Sequence, residues 1–194
     1  MALSRPPGSR LALAMKSDPE NEKSSSSVER MDVVFLDYDG ALHPSPVWFD
    51  PALGRVDLRS PGHELFESVP VLEAAIAPYP SIRIVLSTSW VEAVGYEEAR
   101  GFLPETLQRR VIGATYDPCS PDAWRYPRLT RYDAIALDVK ARKPKRWLAI
   151  DDDSVGWAPR ERDRLIWVPP QLGLACPDAQ ARLHAGLAAC FPQD

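Results

Sequence analysis

Cysteine is scarce in this 194-residue chain, with Cys119, Cys176 and Cys190 the three present. Three thiols so far apart exclude a disulfide framework and a cysteine-based zinc site, and point to free thiols in a reducing cytoplasm. Long hydrophobic runs are missing too. No stretch approaches the ~18 apolar residues that cross a bilayer, and Leu11 to Met15 is too short for a secretory core. No membrane partner is expected, and no obligate protein partner is evident. An excess of one charge is also absent: 23 Lys and Arg against 27 Asp and Glu give a formal net charge of −4. That excludes a general polyanion binder while leaving room for a local basic patch. There is no internal repeat, and the length suits one domain with a single core.

Residues 1–30 lack an apolar pattern that could offset the entropy of ordering them. They carry Pro6-Pro7-Gly8, a charged stretch from Lys16 to Lys23 and the run Ser24 to Ser27. They are expected to form a disordered tail, with the folded domain over 31–194. Met31 stands directly before the first strand and is an alternative start.

Short, continuous apolar runs rich in β-branched residues then recur, each bounded by a turn signal. Asp32 to Asp37, Ile82 to Ser87, Val111 to Gly113, Trp147 to Asp151 and Leu165 to Val168 read as strands of a parallel sheet, buried on both faces. Helical patterns lie between them, over 64–77, 94–103, 131–141 and 178–189. In the first, Leu65, Val69, Leu72 and Ile76 share a face, and Pro70 forces a break or a late start. Thr130 is available to cap the third. Alternating strands and helices predict an α/β, Rossmann-like three-layer sandwich with right-handed crossovers. The expected five-strand order is 3-2-1-4-5. Residues 41–62 differ, with four prolines and two glycines. There Val47-Trp48-Phe49 faces Arg55 to Leu58 across a turn, which reads as a small hairpin flap. No room remains for a full cap domain.

In such a sheet, ligands bind outside the carboxyl ends of the strands. The first strand ends Asp37-Tyr38-Asp39-Gly40, the second Ser87-Thr88-Ser89-Trp90, the fourth Asp151-Asp152-Asp153. If these strands are neighbours, their carboxylates meet and repel one another. A divalent cation resolves the conflict, and hard oxygen donors favour Mg2+.

D-Y-D-G at 37–40, V-L-S at 85–87 and I-D-D-D at 150–153, each ending a buried strand, resemble the haloacid dehalogenase (HAD) superfamily of phosphotransferases. The S-T-S-W and W-L-A-I-D-D-D runs are similar, more narrowly, to HAD-like domains of bacterial RNA-repair proteins. The resemblance implies a magnesium-dependent phosphomonoester hydrolase with Asp37 as nucleophile, forming an aspartyl-phosphate. It implies Asp39 as the acid and base, with its backbone carbonyl on the metal. Ser87 and Thr88 would bind phosphoryl oxygens, and Asp152 and Asp151 would complete the metal site with Asp37. The substrate would be a small phosphate ester, a phosphoprotein or a polynucleotide end. The alternative is a HAD-like module that binds metal or phosphate with little or no turnover. A receiver domain fits poorly, because its paired acids follow the first strand and here they come late.

The superfamily also needs a basic residue, usually lysine, against the phosphoryl group. Lys143 lies nine residues before Asp152, at the amino end of the fourth strand and so at the wrong edge. A helix antiparallel to that strand begins at the catalytic edge, which favours Arg131, with Arg128 in reserve; arginine can clamp phosphate oxygens in a bidentate way. Trp48 and Trp90 either stack on a base or sugar or pack the flap and core. His43 either packs the flap or touches substrate. The run Lys140 to Arg146 reads as a solvated helix end.

Overall fold

The computed structural model describes residues 31–50 and 55–192. The tail expected over 1–30 lies outside the described residues. Strand β1 (Asp32–Leu36) is buried throughout, as its unbroken apolar run requires. A two-stranded antiparallel hairpin follows, β2 (Val47–Asp50) with β3 (Arg55–Leu58), pairing Val47 with Leu58 and Phe49 with Val56. Helix α1 (Val69–Ile76) leads to β4 (Arg83–Leu86). Three short helices, α2 (Trp90–Val94), α3 (Tyr96–Gly101) and α4 (Glu105–Gln108), precede β5 (Val111–Ala114). Helix α5 (Arg131–Arg142), β6 (Arg146–Asp151), β7 (Leu165–Trp167) and α6 (Pro177–Cys190) complete the domain.

The sheet runs β5-β4-β1-β6-β7, parallel throughout, which is the 3-2-1-4-5 order expected. Side chains alternate across it with the two-residue period of a strand. Val34, Leu36, Ile84, Leu86, Leu148 and Ile150 enter the larger core, with Leu72 and Ile76 of α1 and Leu183 and Leu187 of α6. Val33, Phe35, Val85, Trp147 and Ala149 enter the smaller one, with Ile135 of α5 and Trp157. Helices on both faces make the three layers. Between β1 and β4 stand the hairpin and α1 alone, with no cap domain among the described residues.

The helices differ from the expected bounds in places. The helix read over 64–77 starts late, at Val69, because Pro70 belongs in a first turn, where its missing N–H costs nothing. Just before it, Phe66 sits in the left-handed region at φ 61°. The helix read over 94–103 is two helices, broken at Gly95, whose φ of 90° no helix accommodates. Helix α4 was not anticipated at all, since four residues leave too short a pattern to read.

Candidate active site

Strand register builds the site. Leu36 pairs with Leu86 on one side and Ile150 on the other. Asp37, Ser87 and Asp151, each one residue further along, therefore emerge together at the carboxyl edge. Two hydrogen bonds fix that level: Asp37 N–H donates to Ile150 O at 3.1 Å and Ser87 N–H to Leu36 O at 2.8 Å. At the opposite edge Arg146 forks onto Asp32 at 2.9 and 2.6 Å, tying the starts of β1 and β6.

Arg131 reaches this edge from the first turn of α5. Thr130 caps that helix, its hydroxyl accepting from Asp133 N–H at 3.1 Å while Asp133 accepts from Thr130 N–H. The guanidinium lies 3.4 Å from Asp37 Oδ1 and 3.2 Å from Asp151 Oδ2. Lys143 stands at the other end of α5 as its C-cap, beside Lys145, whose N–H donates to Met31 O at the start of β1. Arg128 is exposed and lies over the Trp124 ring, 5.5 Å from its centroid.

Asp37, Asp151 and Asp152 each offer a carboxylate oxygen, and these oxygens lie within 4.8 Å of one another. Burial pushes Asp37 up to about 7, against the pull of Arg131 and with the charge of Asp39 adding to the rise. Burial first, then the charge of Asp37, holds Asp151 well above the usual aspartate range. Asp152 is raised as well, chiefly by burial. Burial alone would lower Arg131; Asp37 and Asp151 overcome it and keep the guanidinium firmly charged. One cation thus faces three carboxylates. Asp37 Oδ1 and Asp151 Oδ2 are buried without a hydrogen bond, and Arg131 Nε near them is the same, so these contacts are ion pairs of poor alignment. Unmet oxygens in a negative pocket fit a hard divalent cation.

The turn after β1 completes the arrangement. Gly40 has a φ of 72°, and a Cβ there would lie 2.4 Å from Asp152 Oδ2, so only glycine lets that carboxylate approach. Asp153 N–H donates to Asp151 Oδ1 at 2.9 Å, and Trp167 Nε1–H to Asp152 O at 2.8 Å. Ser87 Oγ is buried without a hydrogen bond, while Thr88 Oγ1 accepts from Trp90 N–H at 3.4 Å. The carboxylate of Asp39 is outside the acidic cluster. Its Oδ1 accepts from Trp90 Nε1–H at 2.8 Å and meets His43 Nε2 at 3.1 Å. Contact with Asp39 is a feature the sequence did not reveal for either residue, because no periodicity links His43 or Trp90 to a turn. Trp48, by contrast, is exposed on the hairpin beneath the Arg59 guanidinium.

Sequence comparison matches residues 33–179 to the profile of the HAD domain in Swiss Army Knife RNA repair proteins. The match runs from β1 into the first turn of α6. No curated protein and no solved structure matches the chain.

Proposed function

This chain belongs to the family of HAD domains found in Swiss Army Knife RNA repair proteins, and from its site we propose a magnesium-dependent phosphomonoester hydrolase working through an aspartyl-phosphate on Asp37. The observation that carries the proposal is the pairing of Arg131 with both Asp37 and Asp151 in a buried pocket where Asp37 Oδ1 and Asp151 Oδ2 lack hydrogen bonds.

Asp37, Asp151 and Asp152 would hold the ion through side-chain oxygens, and the backbone carbonyl of Asp39 would serve as a further ligand. Bound magnesium screens the anionic nucleophile from the anionic ester and stabilises charge in the transition state. Arg131 gives up part of its contact with the carboxylates to hold phosphoryl oxygens, which a planar guanidinium does well. Ser87 and Thr88 donate to the same oxygens. Asp37 attacks phosphorus, the bond to the leaving oxygen breaks, and Asp39 protonates that oxygen. Asp39 then takes a proton from water, which attacks phosphorus and frees Asp37.

The substrate we favour is a polynucleotide end. No cap domain stands over the site among the described residues, where the hairpin and α1 alone separate β1 from β4, and exposed Trp48, Trp124 and Trp167 each carry an arginine over the ring. Such pairs suit stacking on bases. Cys119, Cys176 and Cys190 are free, which suits the cytoplasm. Among the described residues no helix is long and apolar enough to cross a membrane.

The test is phosphate release from end-phosphorylated oligoribonucleotides, sugar phosphates and an aryl phosphate, with and without magnesium. Release that needs magnesium and stops in Asp37→Asn is the expected result. Magnesium and vanadate binding without release of phosphate would mark a binding module instead.

A further inference from the structure

Asp39 is partly exposed, but one of its two oxygens is committed. Both donors to Oδ1 come from buried rings. The His43 contact has a determined direction. Phe66 N–H points at His43 Nδ1 at 3.3 Å, and a backbone N–H can only donate. Nδ1 therefore presents its lone pair, and Nε2 carries the hydrogen that reaches Asp39 Oδ1. Trp90 Nε1 is a donor in any state.

Neither ring is free to turn. Trp90 has the rings of Tyr38, Phe66 and Phe102 around it, with centroids at 5.6, 5.3 and 4.9 Å. His43 meets Phe66 edge-on at 5.0 Å. Phe66 holds a left-handed backbone without being glycine, a strained state that persists only when its surroundings enforce it. That backbone directs its N–H to His43 while its ring packs on Trp90. A strained residue and two buried donors thus converge on a single carboxylate oxygen.

We infer that His43 and Trp90 are positioning residues, which clamp Oδ1 of Asp39, hold its carboxylate out of the metal cluster, and leave Oδ2 as the oxygen that exchanges a proton with the leaving group. This rests on the acid–base role proposed for Asp39. Without the clamp the carboxylate can rotate, or swing toward the cluster formed by Asp37, Asp151 and Asp152. Proton delivery suffers in either case, while the nucleophile is untouched.

The test compares two esters under saturating magnesium: an alkyl phosphate, whose leaving oxygen needs a proton, and dinitrophenyl phosphate, whose leaving oxygen does not. Trp90→Phe keeps the ring and removes the N–H. His43→Leu removes the second donor, and His43→Gln returns an N–H at similar reach. For Trp90→Phe and His43→Leu, kcat/KM on the alkyl ester should fall by ~10-fold or more, the scale of lost proton transfer, with dinitrophenyl phosphate within ~3-fold of wild type. His43→Gln should recover most of the alkyl-ester loss. The activated ester also shows that each variant is folded. An equal fall on both esters, or no fall on either, overturns the clamp while phosphatase activity stands. If the wild type hydrolyses neither ester, the phosphatase reading itself falls, and the clamp with it.

Discussion

Arg131 is one cation between two buried carboxylates, 3.4 Å from Asp37 and 3.2 Å from Asp151. Removing a charged partner that is desolvated costs more than removing one in water. Arg131→Ala should therefore weaken vanadate binding by ~1.5–3 kcal/mol, or about tenfold and upward, measured by inhibition at fixed magnesium. Lys143→Ala should leave vanadate binding unchanged and alter stability by no more than ~0.5 kcal/mol, because that residue is exposed at the far end of α5. The reverse ranking would move the phosphate-binding role to the lysine. Asp37→Asn keeps the shape of the side chain and removes the carboxylate proposed as nucleophile. It should abolish phosphate release while circular dichroism and melting remain those of a folded protein; surviving release would mean that another residue attacks phosphorus.

Two local elements place these side chains. The capping box at Thr130 and Asp133 fixes the first turn of α5, and Arg131 sits inside that turn. Thr130→Ala should cost ~1 kcal/mol in denaturant unfolding, a usual loss for a cap, and should lower activity as the turn frays. The turn after β1 is the second element. Gly40→Ala adds a Cβ where Asp152 Oδ2 now stands, in a conformation that L residues resist. Calorimetric titration should show magnesium affinity falling by ~10-fold or more, the range seen when metal-site supports are lost. Unchanged affinity would exclude Asp152 from the metal site. The helix over 131–142 was readable because its cap and apolar spacing agree. The segment over 90–108 was not, because Gly95 divides it into pieces shorter than a periodic pattern needs.

At the scale of the whole molecule, the site holds more negative charge than the fold prefers. Asp37 binds its proton more tightly folded than unfolded, up to about 7, and Asp151 is held higher still than an exposed aspartate. The sign follows: a carboxyl raised in this way contributes stability that is fully present below about pH 4 and is lost as pH rises through about 7. The metal-free protein should therefore melt at progressively lower temperature across that window. Magnesium held by the cluster, as proposed, would compensate by binding the ionised form, so the rise in Tm on adding it should be larger near pH 8 than near pH 5. Equal gains at both pH values would mean the acidic cluster does not hold the ion.

What the chain determines locally, it shows openly. An unbroken apolar run such as Val33 to Leu36 can satisfy its backbone only within a sheet covered on both sides, and the acid after it must then stand at the strand's end. Five such runs settle the layers, and right-handed crossovers restrict their order. The start of α5 at the catalytic edge follows from direction alone, since β6 must end there. What lies between distant segments was decided by packing. That Asp39 turns from the cluster toward Trp90, 51 positions away, depends on the left-handed turn at Phe66 and on the aromatic rings it brings together. Those contacts have no period and no adjacent signal; they exist because Phe66 before α1, Trp90 at the start of α2 and Phe102 after α3 pack against one another.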